Sequence, residues 1–149
     1  MYWHNLGRAI FVVVCIVMLA VLGAIMENSV SGKAYAYPDS VKGIGAGVYW
    51  DQACTNRTLS LDWGLLEPGS NNTLTVYIRN EGNSAVHLWL DTSDWVPSAA
   101  SGYMALSWNY SGQILGTYQL VPVALNLFVF PSIIGISHFS FTTTIYTTS

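Results

Sequence analysis

Leu74, Val76 and Ile78 alternate with Thr73, Thr75, Tyr77 and Arg79, and further on Val86, Leu88 and Leu90 alternate with His87, Trp89 and Asp91. A period of two sends successive side chains to opposite faces of an extended chain. Each run therefore predicts a strand with one face on a core and the other toward solvent. Asn80-Glu81-Gly82-Asn83 lies between them, a turn cluster whose Gly and Asn tolerate positive φ. Upstream, Leu59, Leu61 and Trp63 alternate, and Glu67-Pro68-Gly69-Ser70 breaks the chain before Thr73. Strands are also predicted over Ile44–Trp50, Met104–Trp108, Tyr118–Phe130 and Ser137–Tyr146, with Asn109–Gly112, Pro131 and Gly135 as punctuation. About seven strands in roughly 105 residues is the arithmetic of an immunoglobulin-like β-sandwich, expected here over 44–149.

Two stretches test that pattern. Leu120–Phe130 (LVPVALNLFVF) is apolar enough to suggest a membrane span, but it is short, contains Asn126 and is bounded by Pro122 and Pro131. A strand buried on both faces is the better expectation. Ser93–Tyr103 breaks the alternation, and one helical turn crossing between sheets is expected there.

The N-terminal part follows a different rule. Ala9–Met26 (AIFVVVCIVMLAVLGAIM) contains no charge, and as a helix it spans about 27 Å, close to the hydrocarbon thickness of a bilayer. Arg8 on its N-terminal side puts residues 1–8 in the cytoplasm and the remainder outside. The competing reading is a cleaved secretory signal, with Ala34-Tyr35-Ala36 as its small-x-small site. The apolar run is longer than an ordinary signal core, and the site lies far beyond its end. A retained signal-anchor over 9–26, followed by a stalk over 27–43, is the expectation. Cys15 then lies in the membrane and Cys54 outside it, so the two cannot form a disulfide. Cys54 is expected to be a small buried hydrophobe, with an intermolecular bridge as the alternative.

Charge narrows the function classes. Only 9% of the residues are charged and the net charge is −3, with five Lys and Arg in all. Phosphate neutralisation supplies nucleic-acid affinity, so a nucleic-acid partner is excluded. From Trp95 to Ser149 there is no Asp, Glu, Lys or Arg in 55 residues. Solubility in that half must come from Ser, Thr and Asn, from attached sugars, or from coverage by neighbouring subunits.

The segment Leu66–Leu90 (LEPGSNNTLTVYIRNEGNSAVHLWL) resembles Ig-like domains of the cell-adhesion-related type in prokaryotic surface proteins. Gly47–Asp51, Cys54-Thr55, Asp62-Trp63-Gly64 and Leu106–Tyr110 extend the likeness over roughly 45–141. The chain is similar to archaeal single-pass membrane proteins with one extracellular β-domain. The resemblance implies a fold and a location and brings no catalytic residues.

Asn56-Arg57-Thr58, Asn71-Asn72-Thr73 and Asn109-Tyr110-Ser111 are sequons, so Asn56, Asn71 and Asn109 are candidate glycosylation sites, each at a predicted turn or strand edge. A blue-copper site needs a late Cys with a His and usually a Met. Here Cys54 is early, and His87, Met104 and His138 are scattered. No nucleophile turn or phosphate-binding loop is present. Asp91 and Asp94 read as turn formers that satisfy local N–H groups rather than as paired catalytic carboxylates. Gly43, Gly45 and Gly47 read as places where the first strand bends or approaches another backbone. Trp89 and Trp95 could form a carbohydrate-stacking platform, although core and sheet-face roles are the simpler expectation.

These readings converge on a non-enzymatic surface protein without metal or cofactor, anchored in the membrane and in contact with other envelope or membrane proteins. The alternative is a secreted filament subunit that self-assembles by strand donation. In that case cleavage near Ala36 frees the strand Tyr37–Trp50 to complete a neighbour's sheet.

Overall fold

A computed structural model describes residues 33–149. The expected cytoplasmic end 1–8, the membrane span 9–26 and the beginning of the stalk lie outside the described residues. The described chain is mainly β. Its strands are β1 (Ala34–Ala36), β2 (Asp39–Ile44), β3 (Ala46–Tyr49), β4 (Ser60–Leu61), β5 (Leu65–Leu66), β6 (Asn71–Asn80), β7 (His87–Val96), β8 (Met104–Trp108), β9 (Leu120–Val129) and β10 (His138–Thr148).

One sheet has the order β3-β6-β9-β8 and is antiparallel throughout. Its centre is the β6–β9 ladder, in continuous register from Asn71 opposite Phe128 to Arg79 opposite Leu120. Val76 and Ile78 of β6 point inward, as the alternation predicts, and meet Val121, Val123, Leu125, Leu127 and Val129 of β9 in one core. β9 is not buried on both faces, contrary to expectation. Pro122 is exposed, and Ala124, Asn126 and Phe128 are half-buried. Only one sheet packs on this strand, and its apolar outer residues are screened laterally, as where Phe128 meets the edge of Phe130.

The facing sheet is assembled from shorter pieces. β1 and β2 run parallel to β10, Tyr35 opposite His138 and Val41 opposite Thr143. β5 closes against β1 and β4 against β2, while β7 lines the other side of β10 from His87 opposite Thr148 to Val96 opposite Ser140. The expected stalk is therefore corrected from Ala34 onward: residues 34–36 and 39–44 belong to the sheet. Their periodicity escapes notice because Pro38 divides the pieces and an acid, Asp39, occupies a core-facing position.

Three of the crossings between the sheets are short and locally determined. After β2 the chain turns at Gly45, whose φ of +75° suits glycine, and a Cβ there would lie 2.3 Å from the Thr147 hydroxyl. A Cβ on Gly43 would lie 2.0 Å from the Ala46 carbonyl oxygen, so the expected bend and close approach are both present. The Asn80–Asn83 turn is the second crossing, so the two alternating runs that flank it lie in opposite sheets. A 3-10 turn at Ser98–Gly102 forms the third, inside the segment where one helical turn was expected, although β7 continues to Val96.

Asn80 anchors the second crossing more firmly than a generic turn residue would. It is fully buried, and its amide donates to the carbonyls of Ser84 (2.7 Å), Leu115 and Gly116 (both 3.1 Å), while its Oδ1 accepts the Gly82 N–H (2.9 Å). Both the donor and the acceptor side of the amide are satisfied, which is what permits its burial.

Candidate functional site

Asn56 lies in the exposed loop between β3 and β4, where Asp51 accepts the backbone N–H groups of Thr55 (3.0 Å) and Asn56 (2.6 Å). Those bonds hold the Asp51 carboxylate below the usual range, the Asn56 bond most strongly. Asn71 is exposed at the first position of β6. Asn109 follows β8, and its Oδ1 accepts the Ala124 N–H (2.8 Å). That bond orients the amide and leaves Nδ2, the atom a glycan would occupy, unused. All three sequon asparagines are exposed, but they belong to different parts of the fold.

A groove of about 370 Å3 runs beside the free edge of β7, lined by His87–Leu90 on one side and Trp108, Tyr110, Ser111 and Gly112 on the other. The Tyr110 hydroxyl accepts the Leu88 N–H (3.3 Å) and donates to the Gln113 carbonyl, while His87 Nδ1 contacts the Gly112 carbonyl (3.0 Å). The 108–113 segment thus covers the start of an otherwise open strand edge, a protection against strand addition. Trp89 is exposed on the outer face, its indole N–H donating to Thr148 Oγ1 (2.8 Å).

Trp89 and Trp95 do not form a platform. A bulge puts Asp94 at φ +55° and shifts the register of β7 against β10 between Ser140 and Thr142. The added residue reverses the facing of the strand beyond it. Trp95 then turns inward and stacks on Phe141 (4.2 Å between ring centroids, 13° between planes). Asp91 and Asp94 are inside β7 rather than in a turn, and Asp94 accepts the Ser93 hydroxyl (3.0 Å), the bond that does most to lower its pKa.

The densest polar cluster lies on the outer side of the β3–β6 pair. Tyr49 donates a short hydrogen bond to Glu81; Arg79 donates to the Tyr49 hydroxyl (2.9 Å) and to Glu81 (3.0 Å), and Arg57 is 3.6 Å from the same carboxylate. The Tyr49 bond is the main reason that Glu81 is held below the usual carboxylate range and, reciprocally, that the Tyr49 phenol is raised. Two guanidinium groups, Arg57 and Arg79, thus converge on the single carboxylate of Glu81, and the cluster carries a net positive charge. Cys54 sits nearby in the 51–56 loop, half-buried rather than in the core, and it is a free thiol.

One buried acid stands apart. Asp39 Oδ1 accepts the Phe141 N–H (2.8 Å), but Asp39 Oδ2 and Trp63 Nε1 are both buried without a closed hydrogen bond. Burial is the dominant cause that raises the Asp39 carboxyl to about 7. The Phe141 N–H and the nearby Trp63 indole N–H oppose this, and Asp62 adds to it. No sequence pattern singles out Asp39, because its role arises from the pairing of β2 with β10.

Among the described residues no group of three or more His, Cys, Asp or Glu is placed to hold a metal ion. His87 opens β7 and lies opposite Thr148, at the far end of β10 from His138, and Met104 is buried in the other sheet. No protein-family model matches the chain, and no curated protein matches it in sequence.

Proposed function

We propose that this is a non-enzymatic cell-surface protein with an Ig-like sandwich, held at the membrane by a retained span at 9–26 and exposing Asn56, Asn71 and Asn109 for glycosylation. The observation that carries the reading is the position of β1. Ala34 is 1% exposed, lies opposite Leu66 of β5, and is followed by the pairing of Tyr35 and Ala36 with β10. Cleavage after Ala36 would remove this strand and open Leu66 and Phe139 to water, so the domain is better served by a chain that continues unbroken into the N-terminal segment.

The same geometry weighs against strand donation. Residues 39–44, which would have to be donated, lie between β10 and β4 of their own sheet. Work at the surface would then consist of contact with other envelope or membrane proteins. The polar outer positions of the charge-free half, such as Ser107 of β8 and Thr148 of β10, suit that setting.

The test is the mature N-terminus together with carbonate extraction of membranes. Full-length protein resisting extraction is expected, and export of a form beginning at Tyr37 would overturn the proposal in favour of a secreted subunit.

A further inference from the structure

The outer face of the mixed sheet carries a row of aromatic and apolar side chains at the end where the chain enters the domain. Tyr35 has Leu65 as its neighbour on one side and His138 on the other. Laterally paired residues share a face, so the three side chains form one row. His138 stacks between Tyr35 and Tyr37, with centroid separations of 5.6 and 5.4 Å and the same 24° between planes. These rings and side chains do not enter the core: Tyr35 is 53% exposed, Tyr37 58% and Leu65 41%. Ile134, 75% exposed, lies in the loop leading to Ser137, whose carbonyl accepts the Tyr35 N–H (2.9 Å). Lys33 adjoins the row and extends to Glu67 at 3.1 Å, in an exposed pair.

Stacked tyrosines, a leucine and an isoleucine beside a lysine suit a boundary between water and hydrocarbon. Amphipathic rings settle at the headgroup level, and a lysine can reach lipid phosphate. The length of chain before the domain identifies the occupant. Only seven residues separate Met26 from Ala34, a reach of at most about 25 Å when fully extended. We infer that the face formed by Tyr35, Tyr37, Leu65 and His138 rests on the headgroup layer of the membrane, with Ile134 of the adjoining loop reaching the same layer. This inference depends on the retained span proposed above. The alternating exposed aromatics Tyr35 and Tyr37 are then a docking surface for lipid, not a failure to fill the core.

The experiment uses the full-length protein in phosphatidylcholine vesicles, with Cys15→Ser and Cys54→Ser as background. A polarity-sensitive dye is attached in turn to Tyr37→Cys, to Ile134→Cys and, as a reference on the opposite sheet, to Thr75→Cys. Dye at 37 and 134 is expected to emit to the blue of dye at 75 and to be quenched by headgroup-spin-labelled lipid, while dye at 75 is not. Equal emission and no quenching at 37 and 134, in protein that resists carbonate extraction, would overturn this inference and leave the anchor intact. Protein released by carbonate would overturn the anchor itself. A blue shift that persists without lipid and grows with protein concentration would assign the face to a second copy of the chain and overturn the lipid assignment.

Discussion

The two sheets of this domain are built by different means. In the β3-β6-β9-β8 sheet, two ten-residue strands run in unbroken antiparallel register, and their inward residues are aliphatic apart from Asn72, which donates to the Trp63 carbonyl, and the clamped Asn80. The facing sheet combines two parallel pairings, four pieces of six residues or fewer, a bulge at Asp94 and a carboxyl group in its interior. The first sheet is held by a long, regular ladder. The second depends on side chains packed behind it. Trp63 stacks with Phe141 (6.5 Å), and Phe141 stacks with both Trp95 (4.2 Å) and Phe139 (6.4 Å), so one aromatic column ties β10 to the bulge and to the segment between β4 and β5.

The largest effect should come from breaking that column. Trp63→Ala is expected to lower stability by about 3–5 kcal/mol, the range for removing a buried large aromatic. Denaturant titration of the full-length protein in micelles would measure it. A loss below about 1 kcal/mol would mean that the patched sheet does not depend on its aromatic support.

A second effect separates the sheets by pH. Asp39 is raised to about 7 from the ordinary 3.8, so between these values the folded state holds a proton that the unfolded state has released. Stability from this group is therefore fully present below about pH 4 and is lost as the pH rises toward 7 and slightly beyond. Lowering the pH from about 7.5 to about 5 should stabilise the domain by about 2 kcal/mol. The carboxylates with lowered pKa, Asp51, Glu81 and Asp94, remain ionised in that window and do not oppose the trend. Asp39→Asn retains an acceptor for the Phe141 N–H and should flatten the profile. An unchanged slope in thermal melts at several pH values would assign the titration to another group.

The smallest effect belongs to the regular sheet. Glu81→Gln disrupts the cluster with Tyr49, Arg79 and Arg57, but the pairs are partly solvated and should be worth less than about 1 kcal/mol. A loss of several kcal/mol on chemical unfolding would show that this cluster, and not the β6–β9 ladder, holds β3 in place.

Much of the architecture is legible in the sequence for a definite reason. Val76, Ile78, Leu88 and the inward residues of β9 follow a strict period of two, and a strand with one buried face must show that period. Met104–Trp108 reads as a strand and is β8 with the same bounds. The glycines at 43 and 45 announce a sharp bend because no other residue fits there. Exposure of the sequon asparagines also agrees with their turn and edge positions.

What the tertiary structure decided lies where a strand is too short to display a period or where a neighbour redefines its facing. β1 and β2 read as a stalk because three and six residues, split by Pro38 and carrying Asp39 inward, contain no pattern; only β10 makes them strands. Trp95 faces the core because one extra residue at the bulge rotates the strand beyond it, and the pairing with β10 determines where that residue sits. Asp39 has its raised pKa because the closing of the sheets buries it, and the N–H of Phe141, a residue 102 positions away, offsets that burial only in part. Alternation along a strand is a local property and survives in the sequence. Register, parallel partners and burial of a single acid are properties of pairs of distant segments, and these exist only once the sheets have closed on each other.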